Sequence, residues 1–461
     1  MKYKPSSPDR RAGVSETSGP RVVDVQALID THPLSAVQKR LLLLCFLVVA
    51  IDGFDTALIG FIAPAIRAEW GLAVSRLGPL FAAGLVGLMA GAFAVGPLAD
   101  RHGRKAMLAA SMLVFGLASL ASSLSRDLET LTWLRFITGV GLGGAMPTSL
   151  TLAAEYCPAA RRASLVTLMF CGFTIGSALG GLIAAQVLEG YGWRPLLVGG
   201  GGVPLALAPV LWWTLPESVR YLLATGAEAS RIAVVLAKIA PNAELGGTVF
   251  AGATAAHVSP VRQVFSGGLM GGTLLLWLAF FMSLLVVYLL SNWMPTLIQR
   301  STGASLSHAA LIAAMLQVGG TIGAIVVGRL MDALNPHHVL GAAYAVGAAF
   351  ILLISMTTAM PWLMGLAVFG AGFCVSGGQV GANALSAAFY PTSYRATGVS
   401  WANAIGRSGS IVGSLLGGWM LALGWGVTTV YALVAIPALV AAAALLILGA
   451  NERRRHAKLP Y

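Results

Sequence analysis

Charged side chains are scarce. Asp, Glu, Lys and Arg make up 10% of the 461 residues, while apolar types make up 57%. A soluble domain carries about 25% charged residues. Too little polar surface remains to enclose a core in water, which excludes a soluble enzyme and the disordered and disulfide-rich classes. Cysteine is also sparse. Cys45, Cys157, Cys171 and Cys374 lie in or beside apolar runs without CxxC or zinc-ligand spacing, so they read as free thiols. The seven histidines form no HExxH, and no GxxxxGK[ST] occurs. The chain therefore carries no P-loop of its own. Energy for any pumping must come from an ion gradient or a separate subunit. No nucleophile–base set and no metal site is apparent, so neither an enzyme nor a cofactor is expected.

What the chain does contain is long apolar runs. Segments near 41–64, 77–99, 106–124, 131–154, 164–188 and 195–215 precede a polar stretch from Pro216 to about Ser266. Six more lie near 267–290, 307–330, 338–358, 361–385, 397–421 and 427–449. Each can cross a hydrocarbon core of about 30 Å as a helix. The organisation expected is a polar, mostly disordered tail (1–40), a six-helix bundle (41–215), a central loop (216–266), a second six-helix bundle (267–449) and a short tail (450–461). The fold class is an all-α polytopic membrane protein of 12 transmembrane helices in two pseudo-symmetric bundles. With the amino terminus inside, 22 of the 29 Lys and Arg fall in inside segments, 5 outside and 2 within spans. That asymmetry predicts both termini in the cytoplasm. It also accounts for the net charge of +12 through anionic lipid rather than nucleic acid.

The halves repeat. Gly96-Pro-Leu-Ala-Asp100 follows the second span and Gly328-Arg-Leu-Met-Asp332 the eighth, an offset of 232; Pro158 and Arg162 recur as Pro391 and Arg395, an offset of 233. Span five has Gly172, Gly176 and Gly180, and span eleven Gly409, Gly413 and Gly417. Such stripes let helices approach closely. Internal repeats around a midplane site are the architecture of secondary transporters.

Four ionisable residues fall inside spans: Asp52, Asp55, Arg135 and Arg407. Each costs at least about 2.5–3.5 kcal/mol at mid-bilayer and is a functional candidate by default. Asp55 and Arg135 lie at similar depth, so an ion pair is allowed if spans one and four are neighbours. The bland reading is a static pair fixing register. Asp52 sits three residues earlier on nearly the same face, leaving one carboxylate uncompensated and able to share a proton. Arg407 has no acid at its depth in the second half. It either binds an anion, for which a planar carboxylate fits its fork, or pairs across the interface with Asp52 or Asp55.

Gly96-Pro-Leu-Ala-Asp100-Arg-His-Gly103-Arg104-Lys105 resembles the loop signature of the major facilitator superfamily. Arg135 with Gly139, Gly141 and Gly143 resembles its fourth-span motif, and Pro216-Glu217-Ser218-Val-Arg220-Tyr221-Leu222 the sequence after span six in sugar and organic-acid porters. Asp52-Gly53-Phe54-Asp55 in span one resembles the aromatic acid:proton symporter family within it. Met169-Phe170-Cys171-Gly172-Phe173 looks like its 4-hydroxybenzoate branch.

The resemblance implies a monomeric, multi-pass protein of a bacterial-type inner membrane. It would import an aromatic carboxylate such as 4-hydroxybenzoate or protocatechuate with protons. Asp52, Asp55 and Arg135 would couple protons, and Arg407, with Arg135, would hold the carboxylate. Phe54, Phe173, Tyr288, Gln379, Asn383, Trp401 and Asn403 are candidates for the ring and its hydroxyl, with Asn292 and Gln317 further amides. Gly96, Asp100, Arg101, Gly103, Arg104, Glu155, Arg162, Asp332 and Arg395 would form a cytoplasmic charge relay between halves. His337 and His338 read as loop residues. The alternatives are a proton-coupled exporter, a sugar-acid porter and a receptor. Ser177 in place of the exporters' span-five proline, the paired Asp of span one and the short extra-membrane segments argue against them in turn.

Overall fold

A computed structural model describes residues 22–456 except 242, 244–247, 252–260, 266–268 and 392–393. The first 21 residues of the tail, the loop boundary at 266–267 and residues 457–461 lie outside the described residues. Strand β1 (Val22–Asp24) leads into α1 (Val25–Thr31). The first bundle comprises α2 (Ala36–Trp70), α3 (Leu77–His102), α4 (Arg104–Ser122), α5 (Leu128–Tyr156), α6 (Ala159–Tyr191) and α7 (Arg194–Thr214). The central segment holds α8 (Val219–Ala224), α9 (Ala229–Ala237) and β2 (Val249–Ala251). The second bundle comprises α10 (Met270–Thr302), α11 (Leu306–Ala333), α12 (Pro336–Met356), α13 (Pro361–Phe389), α14 (Arg395–Ala422) and α15 (Val427–His456).

Eleven of these twelve long helices are long and apolar enough to cross a membrane. The twelfth, α14, has 28 residues, about 42 Å at 1.5 Å per residue. It is diluted by Gly, Ser, Asn and Arg407 because it lies between α10 and α3, at the junction of the bundles. Twelve alternating helices place the start of α2 and the end of α15 on one face, here the terminal face; the opposite one is the far face.

The repeat seen in the sequence is a repeat of packing. Gly176 lets α6 press onto the backbone of Ala50 in α2, and Gly409 and Gly413 let α14 press onto Phe281 and Leu285 in α10. Gly87, Gly91, Gly139 and Gly143 join α3 to α5, as Gly319, Gly323 and Gly372 join α11 to α13. A Cβ at these positions would strike backbone, so the helices could not approach as closely.

The tail differs from the structureless stretch expected. β1 pairs in parallel with β2, Val22 opposite Val249. Val25 and Ile29 are buried in the core that also holds Leu222, Ile232, Leu236 and Phe250. Asp30 Oδ1 accepts the Ala159 amide at 2.7 Å, and Arg162 Nη2 donates to Gln26 Oε1 at 2.8 Å. Burial of two aliphatic side chains and these hydrogen bonds order a segment that is polar in overall composition.

The bundles meet toward the far face. Phe81 of α3 lies edge-on to Trp293 of α10 at 5.0 Å, and the Trp293 indole N–H donates to Ser414 O at 2.9 Å. Gly60 approaches the Ser291–Asn292 backbone, Gly78 approaches Leu415, and the Ser307 amide donates to Glu189 at 3.4 Å. At the terminal face Gly96 and Gly328 meet nothing within 4 Å. The contacts between bundles named here thus lie toward the far face.

Candidate functional site

The acid pair of α2 is fixed by the packing behind it. Gly53 lets α2 approach Phe173, and Ser177 Oγ donates to Gly53 O at 2.7 Å. Asp55 emerges beside α5. Arg135 Nη1 donates to Asp55 Oδ1 at 3.1 Å and Oδ2 at 3.2 Å, and both residues are buried. Arg135 Nη2 donates to Ser119 Oγ of α4 at 3.3 Å, which orients the guanidinium. Asp52 is fully buried. Its Oδ1 accepts from Thr56 Oγ1 at 3.2 Å, while its Oδ2 and Arg135 Nε have no protein partner. A buried polar group without a partner costs about 1–3 kcal/mol, so these atoms are poised for a ligand, water or proton.

The second bundle supplies the opposite charge. Arg407 is half-buried, and its guanidinium has no ion pair or hydrogen bond shown among the described residues; its carbonyl accepts from Ser410 Oγ at 2.6 Å. It lies close enough to Asp52 and Tyr288 for its charge to act on both. Tyr288 and Asn292 of α10 close a cavity of about 30 Å³ against Asp55, Thr56 and Arg135. That volume suits one water, and Phe81, which also lines it, is the ring packed on Trp293. Both bundles therefore contribute to one polar centre.

The remaining ring candidates are dispersed. Phe54 lines a separate apolar crevice of about 590 Å³ between α2, α6 and α7. Phe173 packs against Gly53 through its backbone. Trp401 is 40% exposed and stacks on Trp277 at 5.9 Å. Asn403 donates to Val399 O at 3.0 Å, within its own helix. Gln317 donates to Ser291 Oγ at 3.1 Å, and Asn292 to Ser414 Oγ at 2.8 Å. Gln379 Oε1 and Asn383 Oδ1 are buried without partners.

The loop charges pair within bundles rather than between them. Arg104 pairs with Glu155 and lies 3.9 Å from Asp100, whose side chain is largely exposed. Gly103 adopts φ +95°, and its amide bonds to Ala99 O at 3.1 Å. The Tyr221 hydroxyl donates to Arg101 O at 3.2 Å. Arg162 binds Gln26, and Arg395 Nε donates to Tyr390 O at 3.2 Å. Asp332 lies near the terminal end of α11 with no partner shown. No ion pair joins the halves at this face among the described residues. Reasoning from the sequence missed Glu217, whose Oε1 accepts the Arg104 and Lys105 amides at 2.9 and 3.1 Å and caps α4. It also missed Ser119 and Trp293. His337, expected in an exposed loop, is buried 3.3 Å from Glu452.

The sequence matches the Major Facilitator Superfamily over residues 45–299 and 276–461. The chain belongs to this superfamily. It is 46% identical over 444 residues to the gallate transporter of Pseudomonas putida, covering 95% of this chain and 96% of that one. It is 46% identical over 437 residues to the 4-hydroxybenzoate transporter PcaK of Pseudomonas aeruginosa, covering 93% and 96%. Its fold matches that of the xylose transporter XylE from E. coli in an inward-open conformation, with a TM-score of 0.70, 19% identity and coverage of 88% and 95%. The protein is thus a multi-pass membrane transporter of the major facilitator type, not an enzyme.

Proposed function

We propose that this transporter imports a hydroxylated aromatic carboxylate, 4-hydroxybenzoate or protocatechuate, together with protons, by alternating access. It acts as a monomer in a bacterial inner membrane with both termini in the cytoplasm, driven by the proton gradient without a cofactor. The substrates named for relatives nearly half identical over the whole chain support the substrate class. The observation that carries the mechanism is Arg407, an unpaired cation of the second bundle facing the acid pair of the first.

A carboxylate entering between the bundles meets a planar fork that binds it bidentately. Arg135 lies on the far side of the same centre with Nε free. As the carboxylate engages the guanidinium groups, Asp55 loses part of its counter-charge and takes a proton. Asp52, within one turn of it, shares that proton. Neutralising the acids lets the bundles close around a site with no net excess charge. The state described here, its bundles joined toward the far face, is the one that releases both into the cytoplasm. Asp55→Asn is expected to abolish accumulation against a gradient in proteoliposomes while counter-exchange of labelled substrate survives. Full accumulation by that variant would remove Asp55 from coupling.

A further inference from the structure

One helix face holds polar atoms that no described residue answers. On α13, Gln379 Oε1, Asn383 Oδ1 and Ser386 Oγ are all buried without a hydrogen-bond partner. Gln379 is 8% exposed and Ser386 0%. They are spaced four and three residues apart, so they form one stripe along the helix. The neighbours of α13 show where that stripe points. Gly378 meets Tyr344 and Gly381 meets Leu340, both of α12, while Gly372 and Gly377 meet Leu316 and Gly323 of α11. The stripe lies on the side away from α12, toward α10 and α14, which also contact α13. Arg407 is on α14.

Depth gives the stripe a direction. Gln379 is ten residues from the terminal end of α13, about 15 Å, and Arg407 is twelve residues from the start of α14, about 18 Å. Gln379 is therefore nearly level with Arg407, and Asn383 and Ser386 step down toward the terminal face. The buried oxygens are acceptors, and the hydroxyl can accept. A carboxylate carries no donor for them; a phenolic O–H does.

We propose that Gln379 and Asn383 form the hydroxyl-reading wall of the site: with the carboxylate on Arg407, a ring hydroxyl donates its one proton to one of these two amide oxygens, which selects hydroxylated over unsubstituted aromatic acids. This rests on the proposed substrate class and adds the residues that discriminate within it. A ligand lacking the hydroxyl leaves the acceptors desolvated and unanswered, which is how a polar site rejects such an analogue.

The test is the ratio of dissociation constants for benzoate and 4-hydroxybenzoate, measured on purified full-length protein by titration calorimetry. Gln379→Met combined with Asn383→Leu is expected to lower that ratio about tenfold, chiefly by weakening 4-hydroxybenzoate, and at least one of the two single variants to lower it nearly as much. Both single variants should melt at or above the wild-type temperature, because an orphaned buried polar group is removed. Asn383→Leu is read alone as well, so the test stands even if Gln379→Met folds poorly. An unchanged ratio in folded variants, with both acids bound by wild type, would overturn the stripe and leave the substrate class standing. Wild type that binds neither acid would overturn both.

Discussion

At the residue scale, the decisive feature is a set of four charges within the spans of which only two pair. Asp55 and Arg135 answer each other through two hydrogen bonds, while Asp52, bonded only to the Thr56 hydroxyl, and Arg407 form no ion pair among the described residues. A static structural element would pair all four, since an uncompensated buried charge is costly. Keeping one acid and one base apart across the bundle interface suits groups that change partners. Arg407→Lys is expected to weaken 4-hydroxybenzoate binding about tenfold or more, because an ammonium cannot copy the bidentate fork. Equilibrium binding would show it, and unchanged affinity would take Arg407 out of the site. These four residues were legible in the sequence because a charge in an apolar run stands out. Ser119 was not. A serine is ordinary in a transmembrane helix, and only tertiary packing brings its Oγ within 3.3 Å of Arg135. Trp293 and Ser414 were hidden for the same reason, and Trp401 and Phe54 read as ring contacts although they face Trp277 and the apolar crevice.

At the scale of elements, the long helices follow from apolar length and the close pairs from glycine spacing. Boundaries were less legible. Helix α2 begins at Ala36 rather than near 41, because Ser35 caps it with Gln38 in a reciprocal capping box that extends the helix into polar sequence. The tail was missed because a three-residue strand and a seven-residue helix fall below the window over which periodicity is readable. Strand β1 also finds its partner far along the chain. The Ala159 amide and then the Gln26 side chain hold the Asp30 carboxyl below the usual carboxylate range. A depressed acid contributes its stability above its unfolded value, near 4. That contribution is lost as pH falls through the folded value. The tail contact is therefore intact at neutral pH and weakens in acid. Asp30→Ala is expected to speed hydrogen exchange in residues 22–31 and at Ala159 at neutral pH, while the bundle cores keep their protection. Unaltered exchange in both segments would mean that Asp30 does not hold the tail.

At the scale of the whole molecule, two copies of one packing scheme share a centre to which each gives a different charge. The first bundle supplies the acids and the second supplies Arg407, so neither alone is a binding site. The repeat offset made this architecture legible from sequence, and the excess of Lys and Arg gave its expected orientation. Which face is shut could not be read. The same residues must permit both states, and only the contacts of Phe81, Trp293 and Glu189 show the far face closed. The central claim is that charge exchange between the bundles couples an aromatic carboxylate to protons. Its most direct test is uptake of labelled 4-hydroxybenzoate into proteoliposomes carrying the wild-type protein, with and without an inward proton gradient. The account predicts accumulation above equilibrium only with the gradient, collapsing when a protonophore is added. Equilibration at the same level with and without the gradient would contradict it.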